Sequence, residues 1–90
     1  MQFVLSIRMQ KESKSFISKK ENLPKIILWI TNYLNNTSLT DKKIKKIQLA
    51  CEEIITNIIK HAYLEKENIF DISILIENKQ VNILFKDNGP

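Results

Sequence analysis

The first hydrophobic residues of the chain alternate with polar ones. Over residues 2–9 the apolar side chains that share one side of an extended backbone are Phe3, Leu5 and Ile7. A period of two indicates a strand with one buried face. Residues 10–21 are mostly polar and basic, and this composition predicts a connection rather than a further element.

The next segment, residues 22–36, has apolar positions at helical spacing. Asn22 is a suitable N-cap, and Pro24 falls in the first turn, where its missing N–H costs nothing. The residues that recur on one side of this predicted helix are Ile26, Ile27, Ile30, Tyr33 and Leu34. The run Asn35–Ser38 is expected to end it.

A second and longer helix is predicted over residues 41–63. Thr40 or Ser38 can cap it, and Asp41 is favourably placed at its positive end. Its expected inner stripe consists of Ile44, Ile47, Cys51, Ile54 and Ile58, widened by Ala50 and Ile55.

Two strands, residues 69–76 and 81–86, are predicted after the second helix. The four residues 77–80 between them suit a hairpin turn. The order strand, helix, helix, strand, strand predicts an α+β fold, a two-layer sandwich with both helices on one face of a mainly antiparallel sheet. The strand at 81–86 would be left as an edge of that sheet.

Length and composition support a single globular domain covering residues 1–90. The chain has a 43% hydrophobic content and 27% charged residues, which argues against disorder. A single cysteine and no export signal favour a cytoplasmic location. The apolar run at 23–34 is too short to span a bilayer, so no membrane partner is expected.

The net charge of +4 includes a basic cluster at Lys42, Lys43, Lys45 and Lys46. A solvated helix face explains such a cluster, and a phosphate-rich or acidic protein partner is the alternative. No nucleic-acid partner is expected, because only Tyr63 supplies an aromatic ring near this helix.

Chemistry-bearing residues recur every four positions along the second predicted helix. Glu53, Asn57 and His61 stack on one stripe, with Lys60 at its edge, and we expect the first two at the border of buried and exposed surface. A carboxylate can accept a proton from a nucleophile, and an amide oxygen suits Mg²⁺. Such a pattern also occurs on helix surfaces that have no binding or catalytic role. His61 alone can be a helix-end residue that interacts with the C-terminal carbonyl groups. Cys51 is interpreted as core packing.

The last strand runs into Asp87, Asn88 and Gly89, a combination typical of a β-turn. The alternative is a binding site, because a carboxylate followed by glycine can recognise an amino-bearing ring that approaches the backbone closely.

Both motifs together resemble the Bergerat-fold (GHKL) ATPases, the superfamily that contains gyrase and the histidine kinases. The stretch "LACEEIITNIIKHAY" followed by "ILFKDNGP" is most similar to the anti-sigma factor serine/threonine kinases. The resemblance runs from the first strand to the start of the adenine-binding loop. It identifies residues 1–90 as the N-terminal portion of a histidine kinase-like ATPase domain.

The resemblance implies ATP and Mg²⁺ as cofactors and phosphate transfer to a serine of an anti-anti-sigma protein, with a sigma factor as a further partner. It implies that Glu53 is the general base, that Asn57 holds Mg²⁺, and that Lys60 and His61 lie near the phosphates or ribose. Asp87 would accept a hydrogen bond from the adenine amino group, and Gly89 would admit the ring. Relatives dimerise, so a homodimer is also an option.

The sequence departs from this family in one respect. Relatives continue with a lid and a second Gly-rich motif, neither of which follows Pro90. We therefore expect the 90-residue chain to be inactive alone, and its status as an enzyme stays open. Of two explanations, a gene fragment is preferred to one part of a split protein. The alternatives are a fragment of a sensor histidine kinase catalytic domain and a small basic α+β binding module without nucleotide chemistry.

Overall fold

The computed structural model describes residues 9–65, 68–77 and 80–87, with side-chain environments for residues 11–61, 68–77 and 80–86. Its elements are β1 (Met9–Ile17), a 3₁₀ turn (Lys20–Asn22), α1 (Leu23–Asn35), α2 (Asp41–Glu65), β2 (Ile69–Glu77) and β3 (Gln80–Asp87). Two helices and three antiparallel strands confirm the α+β class. The chain divides into two compact units, one formed mainly by the strands and the other by the helices.

The position of the first strand corrects the sequence analysis. Of the predicted strand at 2–9 only Met9 lies within the described residues, and the predicted connection is wrong over residues 10–17, which belong to β1. Positions 11–15 of this strand are all solvent-exposed. A strand whose side chains stay in water does not need alternating apolar residues. The polar composition of this segment therefore gave no sign of a strand.

Side chains as well as backbone join β1 to β2. The Ser13 and Ser73 hydroxyls lie 3.0 Å apart, and the Ser15 hydroxyl donates to Asp71. From Ser13 to Ser15 the β1 residue number rises by two, while that of the β2 partner falls by two, from Ser73 to Asp71. Strands β1 and β2 are therefore antiparallel. One residue further along, the rings of Phe16 and Phe70 lie 6.2 Å apart between centroids.

The centre of the sheet is β2, flanked by β1 and β3. Its fully buried residues alternate with partly exposed ones and are Phe70, Ile72 and Ile74. The antiparallel register with β3 runs from Phe70 opposite Asp87 to Glu77 opposite Gln80. This register confirms both predicted strands, whereas residues 78 and 79 of the predicted turn lie outside the described part. Strand β3 is at one end of the strand order, as expected.

Helix α1 begins as predicted, but its cap differs. Asn22 occupies the N-cap position and Pro24 the first turn. The Asn22 side chain does not cap the helix, because its Nδ2 donates to the Ile17 carbonyl oxygen at 2.8 Å instead. At the other end, the Thr37 N–H donates to the Leu34 carbonyl oxygen at 3.0 Å and closes the last turn.

Helix α2 begins at a side-chain cap from Thr40, the first of the two predicted candidates. The Lys43 N–H donates to Thr40 Oγ1 at 3.2 Å, and Asp41 lies in the first turn. Helices α1 and α2 contact one another. The buried residues of α1 are Ile26, Ile30 and Leu34, and those of α2 over positions 41–61 are Ile44, Cys51, Ile55 and Ile59.

The buried stripe of α2 lies further round the helix than predicted. Ile54 is 42% exposed and Ala50 is also exposed, whereas Ile59, which was not predicted, is buried. Isoleucine pairs at 54–55 and 58–59 fit two adjacent stripes about 100° apart equally well. Hydrophobic spacing alone therefore cannot distinguish these stripes, and the structure selects the one through Ile55.

This orientation predicts losses of stability of very different size for two neighbouring isoleucines. Ile55→Ala should lower the free energy of unfolding by roughly 2 to 5 kcal/mol, because it leaves a cavity at a fully buried position. Ile54→Ala, the matched control, should cost less than about 1 kcal/mol. Urea denaturation followed by circular dichroism measures both. Equal losses would show that the stripe is placed wrongly.

Cys51 provides a second test of the same orientation. Its side chain is 3% exposed, and desolvation by burial raises the pKa of the thiol from 9.0 to about 11. Since only the thiolate reacts, iodoacetamide should modify native Cys51 very slowly at pH 8. In a Cys51→Ala background, Asn57→Cys should react at the rate of the unfolded chain, because residue 57 is exposed. Fast reaction of Cys51 in the folded protein would contradict this burial.

The raised pKa also fixes the sign of a pH dependence. The folded state holds the thiol proton more tightly than the unfolded state, so this contribution to stability is complete below pH 9.0 and falls as pH rises towards about 11. As the pH is raised from 9.0 to about 11, the free energy of unfolding should fall less for Cys51→Ala than for the wild-type protein. The difference is measured by urea denaturation at both ends of the window.

Candidate functional site

The predicted stack of polar residues lies on α2. Because α2 is continuous from Asp41 to Glu65, Glu53, Asn57 and His61 follow one another at about 6 Å intervals along the helix axis. All three side chains are exposed. The expectation that Glu53 and Asn57 lie at the border of buried surface is therefore wrong. The buried stripe through Ile55 points these residues into solvent.

Two adjacent carboxylates on α2 have different environments. Glu52 is half-buried, and its Oε2 accepts a hydrogen bond from Gln48 Nε2 at 3.0 Å, one turn earlier. Glu53 is exposed and, like Asn57, has no hydrogen-bond partner within the described residues. The carboxylate that shares a helix face with Asn57 is thus the one that remains available to a ligand.

Lys60 lies in a second environment on the same helix. With Thr56 and Ile59 it lines a pocket of about 340 Å³, whose other wall is the segment 18–23 between β1 and α1. Lys60 itself is exposed. Sequence analysis missed the rest of this pocket, because residues about forty positions apart form it. The adjacent Lys19 and Lys20 were the only signal, and they were assigned to a connection.

A larger concave surface, of about 710 Å³, lies on the sheet. Residues from all three strands line it: Ser13, Lys14, Ser15, Asp71, Ser73, Leu84, Phe85 and Lys86. None of the predicted site residues is among them. Four of its polar side chains, those of Ser13, Ser15, Asp71 and Ser73, are already engaged in the β1–β2 hydrogen bonds, so its size does not make it the better candidate for the predicted chemistry.

Asp87 is the last residue of β3 and pairs with Phe70. This agrees with the prediction that an aspartate closes the final strand. Its side chain, and the whole of Gly89, lie outside the described residues. The hairpin thus fixes the backbone position of Asp87 without testing its predicted role.

The residues of α2 fit a nucleotide-bound Mg²⁺ better than an independent metal site. Within the described ranges no three His, Cys, Asp or Glu side chains come together to hold a metal ion. Mg²⁺ in phosphate-binding sites keeps several waters and takes only one or two protein oxygens, the rest coming from phosphate. The exposed amide of Asn57, which has no hydrogen-bond partner in the part of the chain that the structure describes, can supply one such oxygen.

No helix in the described part of the chain combines the length and apolar character needed to cross a membrane.

Comparisons with known proteins agree with the motifs. Residues 16–90 match the family described as "Histidine kinase-like ATPase domain". An anti-sigma F factor of Clostridium kluyveri is 28% identical over 74 residues, which cover 82% of this chain and 52% of that protein. An anti-sigma F factor of Clostridium acetobutylicum is 27% identical over 79 residues, covering 88% of this chain and 55% of that protein. The chain thus spans about half the length of the curated relatives it matches.

The family match includes α1, α2, β2 and β3 in full, and therefore both sequence motifs from which the resemblance was drawn. The chain belongs to the histidine kinase-like ATPase domain family.

Proposed function

We propose that this protein binds ATP with Mg²⁺ along the exposed face of α2 and acts in phosphate transfer to a serine of an anti-anti-sigma protein. Membership of an ATPase family supports nucleotide binding. The names of the similar clostridial proteins, anti-sigma F factors, support a sigma factor and its regulator as the partners. They favour this function over that of a sensor histidine kinase.

The observation that carries the proposal is the difference between two adjacent glutamates. Glu52 accepts a hydrogen bond from Gln48, whereas Glu53 has no hydrogen-bond partner among the described residues and lies one turn before Asn57 on the same exposed face. A base and a metal ligand placed about 6 Å apart along a helix can serve one phosphate chain.

Each side chain has a distinct role in the proposed reaction. The Glu53 carboxylate accepts the proton of the attacking serine hydroxyl, and Asn57 contributes an oxygen ligand to Mg²⁺. Lys60 and His61 lie near the phosphates or ribose, where the Lys60 ammonium group offsets the negative charge of phosphate. When bound, Mg²⁺ supplies charge neutralisation between the phosphates.

The adenine end of the site is assigned to the turn after β3. Asp87 accepts a hydrogen bond from the exocyclic amino group, and Gly89 leaves room for the ring. The antiparallel register supports this assignment only by fixing Asp87 at the end of β3.

Asn57→Ala should weaken Mg²⁺-dependent ATP binding by roughly tenfold or more, because it removes a metal ligand. The measurement is isothermal titration calorimetry on a chimera in which this chain replaces the matched half of the C. kluyveri relative. Asn32→Ala, at an exposed position of α1, is the matched control and should bind normally. Unchanged affinity of the Asn57 variant would contradict the metal role, and a chimera without ATP affinity would contradict nucleotide binding.

Glu53→Gln should leave ATP affinity unchanged but reduce phosphate transfer by about 10² to 10⁴, since the amide cannot take the hydroxyl proton. Incorporation of labelled γ-phosphate into the anti-anti-sigma protein measures the rate in the same chimera. Glu52→Gln changes the neighbouring carboxylate and should transfer normally. Equal losses from the two substitutions would rule out a specific role for Glu53.

A further inference from the structure

We infer that the pocket between residues 18–23 and α2 binds a short acidic and aliphatic segment of a partner protein. The pocket has a volume of about 340 Å³. This inference goes beyond the proposed function, because it requires neither ATP nor Mg²⁺. Three properties of the pocket support it: ordered walls, a positive charge and an apolar floor.

The loop wall of the pocket is held in place by its own hydrogen bonds. The Lys19 N–H donates to the Ile17 carbonyl oxygen at 2.8 Å, and the Asn22 N–H donates to the Lys19 carbonyl oxygen at 2.9 Å. The Asn22 side chain adds a third bond, to Ile17. The opposite wall is a regular part of α2. A site between two ordered walls needs little rearrangement to accept a ligand.

The charge of the pocket favours an anionic occupant. Three of its lining residues are cationic, Lys19, Lys20 and Lys60, and only Glu21 is anionic. Lys20 and Lys60 are exposed, so their ammonium groups are accessible from solvent. Several like charges around one concave surface attract ligands of opposite charge and raise their rate of association.

The interior of the pocket is apolar rather than charged. Leu23 and Ile59 contribute aliphatic surface, and the stems of the lysines can extend it. The side chains of Leu23 and Ile59 have no polar atoms, so this surface favours an aliphatic group of a ligand over a polar one.

These features together select the occupant. A volume near the lower end of the usual range of about 300–1,000 Å³ suits one or two side chains. An aliphatic side chain on the floor, flanked by carboxylates that reach the exposed lysines, satisfies both the apolar and the cationic surface. A short acidic and aliphatic peptide segment has this chemistry, whereas a phosphate group would leave the floor uncovered.

The test is a titration of the ¹⁵N-labelled 90-residue chain with the peptide acetyl-Glu-Leu-Glu-Leu-Glu-amide, without nucleotide or Mg²⁺. Amide resonances of Lys19, Lys20, Thr56 and Lys60 should shift together. The peptide acetyl-Gln-Leu-Gln-Leu-Gln-amide should bind at least tenfold more weakly, because it lacks the carboxylates. Binding of the acidic peptide should weaken as the salt concentration rises.

The matched variants remove two positive charges each. Lys20→Gln/Lys60→Gln should weaken binding of the acidic peptide at least fivefold, whereas Lys42→Gln/Lys45→Gln, on the exposed start of α2, should change it less than twofold. The dispersion of each variant's amide spectrum checks that it folds. Equal losses in both variants, or equal affinity for the glutamine peptide, would overturn the inference.

A last arm separates this site from the nucleotide site, since Lys60 has a role in both proposals. Inorganic pyrophosphate is titrated into the same sample. Shifts at Lys19 and Thr56 with pyrophosphate, and none with the acidic peptide, would identify a phosphate subsite and overturn the inference. Failure of ATP binding in the chimera would leave the peptide result unaffected, so failures of the two proposals are distinguishable.

Discussion

The burial of one stripe of α2 determines which direction each of the remaining side chains of that helix faces. Cys51, Ile55 and Ile59 occupy the buried side. Because each residue turns the helix by about 100°, Glu53 and Asn57 must then face solvent. The buried apolar residues of α2 thus determine the direction in which the Glu53 and Asn57 side chains point, although they lie on the other side of the helix. Substitutions that shifted this stripe by one residue would move the Glu53 carboxylate and the Asn57 amide together, away from the face proposed to bind the ligand.

The sequence predicted the elements with strong patterns better than the weak ones. The boundaries of α1, α2, β2 and β3 agree to within about two residues, because caps, helical spacing and alternation mark them. Residues 10–17 of β1 were predicted as a connection because the exposed positions 11–15 carry no apolar signal. The stripe of α2 was ambiguous because isoleucine occurs at both 54–55 and 58–59. In that case burial, which depends on neighbouring elements, supplies the information that spacing cannot.

The candidate site was predictable to the extent that it is local. Glu53, Asn57 and His61 lie within three turns of one helix, so their spacing already placed them on one face. The spacing from Asn57 already selected Glu53 over Glu52, and the coordinates add that Glu52 accepts a hydrogen bond from Gln48. The pocket beside Lys60 was not foreseen, because its walls are distant in sequence and each wall alone has an ordinary composition.

The antiparallel pairing of β2 with β3 has a consequence for how this hairpin can evolve. Counting from Glu77 opposite Gln80, the ladder brings Asp87 opposite Phe70. Single amino-acid replacements along either strand preserve that count. A one-residue insertion or deletion inside a strand would instead pair Phe70 with a different residue and turn the side chains beyond it to the opposite face, unless a bulge absorbed it. Length changes within these two strands should therefore be rarer among relatives than side-chain changes.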